Sequence, residues 1–190
     1  MPAPVLRGAR AVLRAPKASD VADRLAAGRD AEFRRMVGAP PAAGPLTRAD
    51  AERWYAALAH EPHGWVVECE GRCVGEARLH HVDPAAGEGW LAVGLFAPAD
   101  RGRGVGTEAT SLMLGHAFGA LGLARVRLRV LAFNARALAC YRRCGFREVG
   151  REPARLDGGE AAEDILMEVA PAAREARDGA VPYARDLTSR

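Results

Sequence analysis

Seven consecutive residues, Arg101-Gly102-Arg103-Gly104-Val105-Gly106-Thr107, have the types and spacing to hold an anion. Glycines at alternate positions let main-chain N–H groups converge without Cβ obstruction. The helix predicted to begin at Thr107 adds the partial positive charge of its N-terminus, and Arg101 and Arg103 can add charge-assisted hydrogen bonds. The ligand chemistry that fits is a phosphate or pyrophosphate. Spacing then separates the known phosphate loops. A P-loop needs Gly-Lys-Ser/Thr, whereas Thr107 follows Gly106 directly. A dinucleotide fingerprint needs G-x-G-x-x-G and an acidic residue closing the next strand; here the order is G-x-G-x-G and the next strand ends without that acid. The segment fits Arg/Gln-x-x-Gly-x-Gly/Ala.

A second segment lies one helix and one strand downstream: Asn134-Ala-Arg136-Ala137-Leu-Ala-Cys140-Tyr141-Arg-Arg-Cys144-Gly145-Phe146. In this order and separation the two resemble the acyl-CoA pyrophosphate loop and the N-x-x-A-x-x-x-Y-x-x-x-G-F segment of the GNAT superfamily of N-acetyltransferases. Val5-Leu6-Arg7-Gly8 to Leu13-Arg14, with the closing Asp164-Ile165-Leu166-Met167, is similar to the ends of the RimJ/RimL-like branch, which acetylates protein N-termini. The resemblance covers about residues 5–170.

It implies an α/β (α+β) fold of the GNAT type, a mixed and mostly antiparallel sheet flanked by helices with a splayed CoA cleft. The implied activity is acetyl transfer from acetyl-CoA to a primary amine, by direct attack in a ternary complex. A protein or peptide N-terminal α-amine is the expected acceptor; an amino acid, polyamine or antibiotic amine is the alternative, and a non-catalytic acyl-CoA-binding module is the rival from another class. The resemblance further implies that the main chain of Leu95 and Phe96 holds the pantetheine arm, with an N–H there acting as oxyanion donor. Residues Arg101 through Thr107 would hold the pyrophosphate, Asn134 would cap its helix and touch the CoA arm, and Tyr141 would protonate the departing thiolate. A buried tyrosine anchoring the core is the competing reading of Tyr141.

An alkyl ammonium has a pKa near 10, so something must accept its proton before the nitrogen can attack. Several relatives carry an acid on the strand before the glycine loop, and Ala92 to Phe96 contain none. Glu76, on the hairpin strand expected to neighbour Leu91 to Phe96, is the first candidate base; Glu88, His80 and His81 are the alternatives. Each also reads as an ordinary solvated side chain. Cys140 and Cys144 would permit an acyl-cysteine route, but no histidine adjoins either in sequence, and small buried helix residues account for them.

The elements that must position these groups follow from periodicity and punctuation. Val5 to Leu13 reads as a strand, Ser19-Asp20 as caps of a helix, and Asp30 to Val37 as a second helical piece ended by Gly38-Ala39-Pro40-Pro41. Thr47-Arg48-Ala49-Asp50 opens a helix through Leu58 with a capping box. Trp65 to Glu70, Cys73 to His80 and Trp90 to Phe96 predict an antiparallel meander. Thr107 to Leu121 is helical, Arg125 to Leu131 alternates as a strand, Asn134 caps a helix closing at Gly145, and Phe146 to Val149 and Asp164 to Val169 read as strands. The domain is expected over 1–170. Residues 171–190, rich in Pro, Gly, Ala and Arg without apolar period, read as a poorly ordered tail.

With 190 residues, the chain has the length of one domain. Its 49% hydrophobic and 27% charged residues are those of a globular protein, and no apolar run approaches the roughly 20 residues of a membrane span. No export segment is evident, so the expected location is cytoplasmic. A net charge of +3 spread along the chain does not suggest nucleic acid as a partner. The pairs Cys69/Cys73 and Cys140/Cys144 lack the ligands of a zinc site, so no metal is expected. Expected partners are acetyl-CoA and an amine acceptor, with a homodimer as an option.

Overall fold

The computed structural model describes residues 3–40, 44–156 and 159–171; the expected C-terminal tail lies outside these apart from Pro171. The chain opens with a hairpin, β1 (Leu6–Arg7) and β2 (Val12–Arg14), where one strand was expected over Val5 to Leu13. The Gly8 N–H donates to Ala11 O at 2.8 Å and turns the chain. A Cβ at Gly8 would stand 2.5 Å from the Glu108 carboxyl carbon, so the reversal depends on glycine.

Helices α1 (Asp20–Ala27), α2 (Ala31–Met36) and α3 (Arg48–His60) come next. The capping box on α3 forms as its sequence predicts, and Asp30 caps α2 by accepting from the Glu32 and Phe33 amides. Ser19 makes no capping bond on α1. The adjacent Asp20 instead turns inward: 1% exposed, it accepts from both terminal nitrogens of Arg14 at 2.9 and 2.7 Å and from the Lys17 amide at 2.7 Å. This paired, hydrogen-bonded charge ties α1 to β2.

Strands β3 (Gly64–Cys69), β4 (Arg72–Asp83) and β5 (Glu88–Leu95) form the predicted antiparallel meander. A 3₁₀ turn at Pro98–Asp100 leads to α4 (Val105–Gly119), then β6 (Arg125–Leu131), α5 (Ala135–Arg143), β7 (Arg147–Arg155) and β8 (Ala161–Val169). Strand β7 runs further than expected because it is a sheet edge exposed along nearly its whole length, with no apolar alternation to mark its end.

The eight strands make one sheet in the order β1-β2-β3-β4-β5-β6-β8-β7. Only β5 and β6 are parallel, and they pair only over Glu88–Trp90 against Arg125–Arg127. Beyond that point they separate. On one face of the sheet, Val126, Leu128 and Val130 pack with Met113 and Leu114 of α4 and Leu138 of α5. On the other, Leu58, Val66, Cys73 and Phe96 pack with Trp54 and Phe33 from the early helices. No described helix is long and apolar enough to cross a membrane.

Candidate active site

Helix α4 starts at Val105, two residues earlier than expected, because Gly104 takes the left-handed conformation at the N-cap, φ +84°. No side chain caps it, and Glu108 N–H, bonding to Gly104 O at 3.0 Å, makes the first main-chain bond of the helix. The acid in this first turn, Glu108, is directed away: it accepts from the Ala9, Arg10 and Ala11 amides at 3.0, 2.6 and 2.6 Å. Without a capping side chain, the helix start retains amide donors and dipole for an anion. Gly102, Gly104, Gly106 and Thr107 line the adjoining cleft, and a Cβ on Gly106 would meet only a Leu95 methyl, at 3.7 Å.

The cleft, about 510 Å³, occupies the gap where β5 and β6 part, with Leu91 to Leu95 on one wall and Arg129 to Leu131 on the other. The Phe96 amide donates to Val74 O at 2.9 Å. Alternation along the ladder therefore turns the Leu95 amide toward the cleft, so of the two expected main-chain donors only Leu95 faces it. The Phe96 side chain is 3% exposed and belongs to the opposite cluster. Val105 is in the core under the sheet, and Arg103 pairs with Glu70 away from the cleft. Arg101 does line the cleft, but its guanidinium donates to Leu95 O and Phe96 O at 3.2 and 3.0 Å and pairs with Asp30 and, at 3.1 Å, with Glu32. Burial alone would raise the Asp30 pKa; the Arg101 hydrogen bond and charge outweigh it and hold the carboxyl below its ordinary value. Arg101 thus clamps α2 to the end of β5.

Asn134 caps α5, its Oδ1 accepting from the Ala137 amide at 3.2 Å while its Nδ2 donates to Met36 O at 3.3 Å. Two turns on, Tyr141 forms part of the cleft wall with its ring 5.7 Å from that of Phe146. Burial, then the neighbouring Cys140 and Cys144, raises its pKa well above the ordinary value, so the phenol keeps its proton at neutral pH and can only donate it. Cys140 also lines the cleft, 3.3 Å from Thr107 Oγ1. Hydrogen bonds, chiefly from Cys144, outweigh burial and lower its thiol pKa.

A family profile described as "Acetyltransferase (GNAT) domain" matches residues 10–147. The chain belongs to the GNAT acetyltransferase family. It is, accordingly, an acyl-CoA-dependent acetyltransferase with the GNAT fold that its two glycine-bearing segments imply. A GCN5-related N-acetyltransferase from Brucella melitensis is similar in fold at 22% identity, TM-score 0.77, over 93% of this chain and 87% of that one. Mycobacterium smegmatis RimJ in complex with CoA-disulfide is similar at 23% identity, TM-score 0.71, over 94% and 93%. Vibrio cholerae spermidine N-acetyltransferase in complex with CoA and spermine is similar at 20% identity, TM-score 0.70, over 88% and 99%. At these identities the likeness speaks for the fold.

For a GNAT chain whose Ala92 to Phe96 carry no acid, Gly94 is a position where none would fit. The Phe33 ring of α2 sits against Gly94, and a Cβ there would lie 2.8 and 3.0 Å from two ring carbons. Glu76, in register with Gly94, does not line the cleft; it accepts from the Trp54 indole N–H and, at 3.1 Å, from Arg78. Glu88 pairs with Arg125 at 2.8 Å and Arg127 at 3.2 Å. The His80 and His81 rings, 4.9 Å apart, also lie outside the cleft lining, and burial lowers the His80 pKa. Among the described residues, the acidic side chain in the lining is Asp164. Sequence reasoning missed it because nothing local tells that β8 pairs with β6, one strand from the gap.

Proposed function

We propose that the protein transfers the acetyl group of acetyl-CoA to a primary amine by direct attack in a ternary complex, with a protein or peptide N-terminal α-amine as acceptor. The observation that carries this reading is one continuous cleft that joins the uncapped N-terminus of α4 to Tyr141 through the gap between β5 and β6. The glycine turn and helix start fit a pyrophosphate. The Leu95 amide fits the carbonyl oxygen on which charge develops as nitrogen adds. As the C–S bond breaks, the thiolate takes the Tyr141 proton. A small polyamine-like acceptor is the second reading, favoured by the fold shared with the spermidine N-acetyltransferase.

CoA-thiol release from acetyl-CoA, followed against peptides with free α-amines, amino acids, polyamines and aminoglycosides, tests the reading. Release that depends on a peptide α-amine is expected, and release with polyamines alone would select the second reading. Tight acetyl-CoA binding without release in any member would favour a binding module. Radiolabelled acetyl-CoA supplied without amine should leave no label on the protein; a label on Cys140 would replace direct attack by an acyl-cysteine route. Gly104→Val imposes a β-branched side chain on a left-handed residue at the helix start, φ +84°. Its expected effect, read by calorimetry, is a Kd for acetyl-CoA raised about ten-fold, the loss of one charge-assisted hydrogen bond.

A further inference from the structure

We propose that Asp164 receives the acceptor's ammonium group and takes its proton, an inference that rests on the acetyl-transfer reading above. Three observations converge on it. The first is position. Ile165, Met167 and Val169 of β8 are buried in the core that contains α4 and α5, so by alternation Asp164 projects from the opposite face of the sheet. Its register partner on β6 is Leu131, whose methyl lies 3.8 Å from where a Cβ on Gly38 would stand, at the end of α2. The helix start and Tyr141 approach the same cleft from the other face. The two reactants can therefore meet through the gap between β5 and β6, with acetyl-CoA on the side of α4 and α5 and the amine on the side of α2.

The second observation is that Asp164 is half-buried and makes no side-chain hydrogen bond or ion pair to any described residue. The acids around it are engaged. Glu152, its partner on β7, is held by Arg129 at 3.2 Å; Glu168, further along β8, is held by Arg127 at 3.1 Å; Glu32 bridges Arg101 and Arg136 at 3.1 Å each. The cleft cations Arg101, Arg129 and Arg136 thus each have an acidic partner already, and Arg143 stands on α5, on the opposite face. A partly desolvated carboxylate left without a counter-ion favours a cation from outside. The third observation is the occupied space over Gly94, where Phe33 leaves no room for a side chain at that position of β5.

The proton and electron count closes. The ammonium gives one proton to Asp164, which passes it to solvent, and the neutral nitrogen forms the new C–N bond at the thioester carbonyl. The C–S bond breaks, the thiolate takes the Tyr141 proton, and the nitrogen's second proton restores Tyr141. The products are the amide, the thiol and one released proton. A carboxylate in this place also selects against acceptors with their own carboxylate beside the nitrogen, so a peptide N-terminus or a polyamine fits and a free amino acid is repelled.

The experiment compares wild type, Asp164→Asn and Asp164→Glu on the amine that wild type accepts, from pH 7 to pH 10, with the KM for acetyl-CoA and the melting temperature recorded for each. At pH 7, kcat/KM for the amine should fall about 100-fold in Asp164→Asn, the scale of a lost proton acceptor, with partial recovery in Asp164→Glu. The deficit should shrink as pH approaches the amine's own pKa, about 8 for a peptide α-amine and near 10 for a polyamine, because the nitrogen then arrives neutral. KM for acetyl-CoA and the melting temperature should stay at wild-type values. A kcat/KM within about three-fold of wild type, or a deficit constant across pH, overturns the assignment. Wild type that releases no thiol with any amine overturns the acetyl-transfer reading itself, and Asp164's role with it.

Discussion

Tyr141→Phe is expected to lower kcat about 100- to 1000-fold while leaving the Kd for acetyl-CoA within about two-fold of wild type, the range for removal of one proton donor. The side chain is 7% exposed, and its hydroxyl makes no hydrogen bond to any described residue. Removing the oxygen therefore orphans no partner, and the ring keeps its edge-on contact with Phe146. Stability should hold, so that lost turnover reports chemistry. Burial raises the phenol's pKa, which keeps the donor form populated throughout the neutral range and gives wild type no loss of activity from Tyr141 ionisation near pH 10. Steady-state kinetics with calorimetric binding checks the split between kcat and Kd; an unchanged kcat would remove Tyr141 from the reaction and leave it as a core anchor.

The largest expected loss of stability is for Trp65→Ala, about 3–5 kcal/mol by urea unfolding. Trp65 is 0% exposed in the core of β3, and the His116 ring of α4 meets it edge-on at 5.6 Å. Its indole N–H donates to Pro4 O at 2.8 Å, holding the residues before β1 against the sheet. Truncation removes the largest fully buried side chain of the described residues and leaves that carbonyl without its donor. A loss under about 1.5 kcal/mol would mean that the surrounding core collapses into the space.

The parts of this site that could be read from sequence are those whose chemistry is local. The glycine turn, the helix that follows it and the Asn134 to Phe146 segment each state their conformation within a dozen residues, and the structure places them around one cleft. What stayed hidden depends on residues far apart in the chain. Arg101 looked like a phosphate ligand until Glu32, 69 residues away, and Asp30 came against it. Glu76 looked available, being one strand from the cleft, until Trp54 of α3 folded over it. Ala92 to Phe96 carry no acid, and at Gly94 Phe33 on another helix fills the space one would need. Asp164 gave no signal because a strand's alternation tells which residues share a face but not which strand lies beside it. The hairpin at the start of the chain was missed for a similar reason, since its turn is shaped by Glu108.

The short parallel join between β5 and β6 gives this protein an open strand edge in its own interior. Exposed edges at a sheet's rim invite pairing with other chains, and proteins usually blunt them with charge or short length. Here, beyond Trp90 and Arg127, two such edges face each other across the cleft inside the sheet. An amide-bearing chain lying in it can hydrogen-bond to both edges, as an added strand does at a sheet's rim. What would be an aggregation hazard on the outside of the molecule becomes, by being enclosed, a template for one kind of guest.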